Sequence, residues 1–420
     1  MDIQRMARNG ARSLDIMFRE KRVLGQILQV QRGPRYLSYH VGLKNPADLK
    51  NALSISDEIA MGANVESVIV RRDRGRLYYD FNLPDEGDLW MNLALADTSG
   101  EVVGIGAGAQ TVSFVFDDNT PNWLVAGEMG SGKSAAIATA VLSLCRRMDP
   151  NRLGIGIVDV HQDIHYEGFY NATHLVSKPA VTVEEVDTLL KWFHSQLLFR
   201  RGLGQSKFER QYRKGEHKML VLVIDEASRN EVLGTYKSIH REHQELVRDL
   251  VQEGRKFRIH TILGTQKPME NDLPGIFSML GSRMVGYTQA GYVTGRAEAA
   301  AHLLTKKGDF FRVHGQHVDR FLWAYPQAAD YERILSRTGE IPTLTVPEAT
   351  GTIDLSNSVV GRPVTKMDPA ILAVYMTQNV SVRNAKSELD LGYNLHSRYR
   401  KFAEKLNGEL ERLKGGENEG

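Results

Sequence analysis

The chain has 420 residues, and its 53 Lys and Arg nearly balance 51 Asp and Glu, for a formal net charge of +2. That balance excludes a nucleic-acid surface spread over the whole molecule, so any such surface must be local, and a hydrophobic content of 42% excludes a disordered chain. The single cysteine, Cys145, excludes internal disulfides and points to a reducing, cytoplasmic compartment, and no stretch approaches the roughly 18 to 20 apolar residues of a membrane span.

In chain order, residues 1–32 read as a charged amphipathic helical arm, with Met6, Leu14, Met17, Phe18 and Val23 among arginines; the pattern fits a free arm and a packing helix equally. Residues 33–109 read as a small α/β module, with strands near 36–41, 65–70 and 77–81 and a helix over 47–61. Residues 110–345 alternate apolar runs with helical patterns, which is how a mostly parallel sheet is written. The strands expected there are 123–126, 153–158, 219–224, 261–264 and 283–287. Pro342, Pro347 and Gly351 mark a linker, taken as 346–364. Residues 365–414 carry three helical patterns in helix-turn-helix spacing, the last with Arg398, Arg400 and Lys401 suited to DNA phosphates and the major groove. A helical bundle or oligomerisation tail fits the same residues.

Two motifs carry chemistry. Gly127-Glu128-Met129-Gly130-Ser131-Gly132-Lys133-Ser134 is a complete P-loop, G-x-x-x-x-G-K-S, between the apolar run Trp123-Leu124-Val125-Ala126 and a helical pattern that starts at Ala135. Its glycines allow inward-pointing backbone N–H groups at a helix N-terminus, so polyphosphate is the expected ligand, with Lys133 on the β- and γ-phosphates and Ser134 on Mg²⁺. The second motif is the continuous apolar run Met219 to Ile224, a central parallel strand that ends in Asp225 and Glu226. Asp225 is the expected second holder of Mg²⁺ and Glu226 the group that orients or deprotonates the attacking water, which together imply an ATPase. Gln266, at the end of the next strand, is placed to meet the γ-phosphate. Arg255, among Lys256 and Arg258, reads on its own as part of a solvated basic face.

With these residues in place the chain resembles the FtsK/SpoIIIE-type DNA translocases of the HerA/FtsK P-loop motors, from about Gly33 to Gly315. The likeness is carried by Leu124 to Ser134, Ile224-Asp225-Glu226, the stretch from Arg255 to Thr265-Gln266-Lys267-Pro268, Ser282-Arg283-Met284-Val285 and Leu303 to Phe310. It implies a RecA-like core, ATP and Mg²⁺ as cofactors, double-stranded DNA as partner, and a homo-hexameric ring in which Arg255, or in reserve Arg283, reaches a neighbour's site. Lys267 departs from the family's arginine, and Ser228-Arg229-Asn230 from its aspartate-rich sequence. The start of the chain lacks a membrane region, so the expectation is a compact soluble relative of the kind a plasmid or phage encodes. The expected function is ATP-dependent DNA translocation. A conjugative coupling or DNA-packaging ATPase, or a nucleotide-switched partition or replication factor, is the alternative.

Overall fold

The computed structural model describes residues 3–73, 76–83, 94–170, 172–227, 238–268, 273–289, 298–304, 307–314 and 317–335. The linker at 346–364 and the helix-turn-helix with Arg398, Arg400 and Lys401 lie outside these residues. Helix α1 (Ile3–Glu20) buries Ala7, Ala11, Leu14 and Phe18, a stripe at helical spacing. It packs on a four-stranded antiparallel sheet made of β1 (Gly25–Arg32), β2 (Tyr36–Leu43), β3 (Val68–Asp73) and β4 (Arg76–Asn82), in the order β1-β2-β4-β3. The Tyr39 hydroxyl donates to Ala7 O at 2.8 Å, and a Cβ on Gly10 would collide with that ring, so helix and sheet touch backbone to side chain.

This corrects the expected 1–32 arm. The helix stops early: Val23 N donates back to Phe18 O at 2.8 Å across Arg22, whose φ of 56° is a left-handed stop made without glycine. Residues 25–32 are then strand, not helix, and belong to the module. The helix expected over 47–61 is two, α2 (Leu49–Leu53) and α3 (Ser56–Ala63), broken at Ser54-Ile55.

The larger sheet has nine strands. Its parallel block takes in β7 (Asn122–Ala126), β8 (Leu153–Val158), β9 (Met219–Ile224), β10 (Ile259–Thr265) and β11 (Ser282–Val285), side by side as β11-β7-β10-β9-β8. Alternate residues of β7 and β9 feed two separate cores, Trp123, Val125, Val221 and Val223 on one face and Leu124, Ala126, Leu222 and Ile224 on the other. Burial on both faces is why these strands read as unbroken apolar runs. Helix α4 (Lys133–Arg147) lies in the first core, buried along nearly its whole length, with Cys145 packed there as a core residue whose thiol burial pushes to higher pKa. Helices α6 (Val183–Leu203) and α8 (Ser238–Glu253) pack together on the opposite face. A capping box at Thr182 and Glu185 opens α6. No helix among the described residues is long and apolar enough to cross a membrane.

The parallel block is extended by an antiparallel arm that was not anticipated: β12 (Asp309–His314) and β13 (His317–Trp323) form a hairpin, and β5 (Val102–Gly106) and β6 (Thr111–Ser113) complete the edge. Because Ile105 pairs with Leu322 in this sheet, the boundary expected at 109/110 falls too late, and the larger unit already includes Val102.

Module and arm meet through polar groups. Arg320, fully buried, donates to Asp309 Oδ2 at 2.6 Å and Asn82 Oδ1 at 2.7 Å, and its guanidinium lies 4.3 Å from the Tyr36 ring centre. Arg71 pairs with Asp80 at 2.7 Å and donates to Val318 O at 2.9 Å, while the Tyr36 hydroxyl donates to Arg320 O at 2.5 Å. Arg320→Ala strands the Asp309 carboxylate without its cation, and should lower the unfolding free energy by about 3–5 kcal/mol in urea titrations; a loss below about 1 kcal/mol would show that this pair is not needed to neutralise the seam.

Candidate nucleotide site

Strand register brings the site together. Ala126 lies beside Thr265, Leu263 beside Ile224, and Val158 beside Ile224, so the loops after β7, β10, β9 and β8 all leave from one edge of the sheet. That edge is where ligands bind open α/β sheets. The loop after β7 is folded as a cradle: Gly127 N donates to Thr265 O at 3.1 Å, Glu128 N to Tyr287 O at 2.8 Å and Ser131 N to Glu128 O at 3.0 Å. Gly132 has φ 94° and passes so near the arm that a Cβ there would stand 3.2 Å from Gly308 N, the same N–H that donates to Ser131 O at 2.8 Å. Glu128 Oε1 accepts from Gln289 N at 2.9 Å and Met129 projects into solvent, so neither side chain is aimed at a ligand, and Glu128, whose N–H and carbonyl are already bonded, acts by shaping the loop. Ala135 continues into the buried first turn of α4.

At the floor of the cradle the expected residues converge. The Lys133 ammonium donates to Asp225 Oδ1 and, at 2.8 Å, to Glu226 Oε1; Ser134 Oγ donates to Asp225 Oδ2 at 2.7 Å; and Gln266 Nε2 donates to Glu226 Oε1 at 2.7 Å. Burial works against the charge on Lys133, but the two carboxylates outweigh it and raise its pKa. Burial likewise works against ionised Asp225, yet Lys133, Ser134 and Tyr166 hold its pKa below the usual carboxylate value. Glu226 is in the left-handed region at φ 57°, a conformation that glutamate rarely adopts and that tertiary contacts must hold.

The arrangement fits nucleotide and Mg²⁺. The cradle opens into a cleft of about 300 Å³ lined by Gly130, Gly132, Lys133, Ser134, Glu226 and Gln266, and the buried Ser131 hydroxyl has no hydrogen-bond partner among the described residues. A hydroxyl and a carboxylate 2.7 Å apart at Ser134 and Asp225 are the hard oxygen donors a divalent cation takes.

Sequence reasoning missed several contributors. Tyr166, on α5 (Ile164–Glu167), donates to Asp225 Oδ2 at 3.1 Å, and Lys307, Gly308, His165 and Tyr325 line the cleft. Lys307 and Gly308 lie inside the Leu303 to Phe310 likeness, which gave them no role at the site, while Tyr166, His165 and Tyr325 stand in no motif and only the fold brings them here. Arg255 is not at this edge. It sits in the 3-10 turn Gly254–Phe257 before β10, donating to Asp118 O at 2.8 Å, so a seven-residue strand of roughly 23 Å separates it from Gln266. Arg283 donates to Leu280 O at 3.0 Å with its guanidinium 4.6 Å from the Phe277 ring centre.

Comparison with known families places the segment from β5 to the start of β9 at residues 102–219, which match the family described as FtsK/SpoIIIE. Over this stretch the chain is similar to the FtsK/SpoIIIE family. Relatives of the FtsK/SpoIIIE segment include DNA translocase SftA of Bacillus subtilis, 21% identical over 70% of this chain and 33% of its own length, and DNA translocase FtsK of Caulobacter vibrioides, 22% identical over 92% of this chain and 54% of its own. The first relatives are thus matched over well under half of their length, 33% to 44%. Among solved structures, the pCW3 conjugation coupling protein TcpA with ATPγS overlaps 79% of this chain and 99% of its own at 17% identity and a TM-score of 0.49.

At the same edge of the sheet, Asp159 after β8 accepts from Asp163 N with both carboxylate oxygens, at 3.0 and 3.1 Å, yet burial, with Asp225 adding to it, pushes its pKa up from 3.8 to about 6. The folded state therefore holds this proton more tightly than the unfolded chain does, and the associated stability, full below about pH 4, is lost as pH rises through 6. Asp159→Asn keeps an acceptor but does not titrate. Its thermal midpoint minus that of the wild type should climb between pH 4 and pH 8; a difference flat with pH would contradict the shift.

Proposed function

We propose that this chain is an ATP-driven motor that moves double-stranded DNA. The observation that supports this most is the meeting of Lys133, Ser134, Asp225, Glu226 and Gln266 within one hydrogen-bonded group at the carboxyl edge of the parallel sheet. In this reading the loop amides and Lys133 hold the β- and γ-phosphates, and Ser134 and Asp225 hold Mg²⁺, which when bound neutralises phosphate charge. Glu226 orients the attacking water and accepts its proton, and Gln266, bonded to Glu226, links the state of that carboxylate to β10. Arg255, at the far end of β10, serves a neighbouring subunit of a homo-hexameric ring, and Arg398, Arg400 and Lys401 contact DNA. The naming of the relatives as DNA translocases supports DNA as the substrate, and a cytoplasmic site of action is part of the same reading.

The direct test is displacement of a third strand from a triplex-bearing duplex, together with ATP turnover with and without duplex. A motor strips the third strand while turning over many ATP per DNA; a nucleotide switch stops after about one. Lys133→Ala should abolish both readouts, and DNA-stimulated hydrolysis at the wild-type level in that variant would refute the reading. Glu226→Gln should leave ATP binding within about twofold and cut turnover by roughly 10²-fold or more, as measured by equilibrium binding and by phosphate release.

The ring is tested by mixing. Arg255→Ala and Lys133→Ala proteins should each be inactive, while co-assembled mixtures regain activity at interfaces that pair an intact P-loop with an intact arginine, a group worth on the order of 10³-fold in related motors. Mixed assemblies with no gain would remove Arg255 from the site.

A further inference from the structure

The cleft has lining residues beyond those that the phosphates need: His165 from α5, and Ala324 and Tyr325, which follow β13. The two rings meet edge to face, centroids 5.7 Å apart at 87°. Both side chains are half-buried, and neither belongs to the Lys133–Asp225–Glu226–Gln266 group.

Their backbones are held from several directions. His165 N donates to Asp163 Oδ1 at 3.0 Å, and its carbonyl accepts from the Tyr331 hydroxyl at 2.6 Å. Ala324 N donates to Val103 O at 2.7 Å and its carbonyl accepts from Thr139 Oγ1 at 2.9 Å, which ties the residue before Tyr325 both to the sheet and to α4, the helix that begins at Lys133. Tyr325 itself bridges to Ala94. Two aromatic rings thus stand at fixed positions relative to the P-loop helix. Burial also lowers the His165 pKa, against the pull of Asp163 and Asp225, so its ring faces the cleft as a neutral imidazole at neutral pH. An aromatic corner with the Asp163 carboxylate beside it is poorly suited to phosphate and well suited to a flat heteroaromatic ring, which can stack on one face and meet the other ring's edge.

We propose that His165 and Tyr325 form the nucleobase subsite of this cleft, taking the purine ring of the nucleotide whose phosphates the P-loop holds. The assignment rests on the nucleotide reading of the cleft. It divides the site in two: the β7–α4 loop recognises phosphate, and a corner built from α5 and the segment after β13 recognises base.

Inorganic tripolyphosphate carries the phosphates without the base, so calorimetric titration of ATP and tripolyphosphate separates the two ends. Tyr325→Ala, and separately His165→Ala, should weaken ATP binding by roughly 5- to 150-fold, the range measured for base–aromatic stacking, while tripolyphosphate affinity stays within twofold. Tyr325→Phe should retain ATP affinity, because the ring and not the hydroxyl is required. Unchanged ATP affinity in both alanine variants, or equal weakening of ATP and tripolyphosphate, would overturn the subsite. A wild-type protein that binds neither ligand would instead overturn the nucleotide reading, and the subsite with it.

Discussion

The geometry of the site depends on one buried cation. Lys133 carries its charge into a largely buried position at the floor of the cleft, and it can do so only because Asp225 and Glu226 arrive from β9 on the other side of the cradle. One ammonium against two carboxylates leaves a negative remainder, offset by donors: Ser134 and Tyr166 on Asp225, Gln266 on Glu226. Four separate segments are thereby bound to a single charge balance. Lys133 can leave its carboxylates for phosphate oxygens only if another cation takes its place beside Asp225, so under the proposed function nucleotide without a divalent ion should meet an electrostatic barrier at this floor.

Much of this centre was legible because its chemistry is local in sequence. The P-loop is contiguous, and its glycines mark positive φ at Gly130 and Gly132. The run from Met219 to Ile224 is apolar throughout because both faces of β9 are covered, and the polar residues follow at once where the strand leaves the sheet. Gln266 was legible for the same reason. The roles of Tyr166, Gly308, His165 and Tyr325 were not, since each acts by position alone: Tyr166 and His165 come from the one-turn helix α5, Tyr325 from the segment after β13, and Gly308, although inside the Leu303 to Phe310 likeness, from the turn before β12. Gly308 lies far along the chain from Ser131, and its contribution is a backbone N–H, which every residue except proline carries.

The fold shows the same division. The parallel strands were readable from continuous burial, whereas β5, with two glycines in five residues, finds its partner β13 more than two hundred positions later, so that no local pattern announces it. The strand β1 was hidden behind the amphipathic pattern of α1, because the turn between them is made at Arg22 and not at a glycine. Arg255 illustrates a different limit: it precedes β10 in the chain, and the polarity of β10 decides that it lies at the edge opposite the P-loop, which is a property of the assembled sheet.

The polar seam between module and arm also has a consequence for how the chain is made. Tyr36 and Arg320 are 284 positions apart, and Arg71 and Val318 are 247 apart. At synthesis rates of about 5–20 residues per second, the first pair waits roughly 15–60 s for its partner to emerge. The module's apolar core needs no such wait, since it is built wholly from residues between Ala7 and Phe81. For that interval the module can be folded while the surface destined for the arm is still wet. A broad apolar surface exposed so long would invite aggregation; here Ile69 enters the larger unit's apolar core, while Arg71, Asp80, Asn82 and the Tyr36 hydroxyl are satisfied by water until Arg320 and Asp309 arrive. The polarity of the seam thus suits an interface whose two halves are born far apart in time.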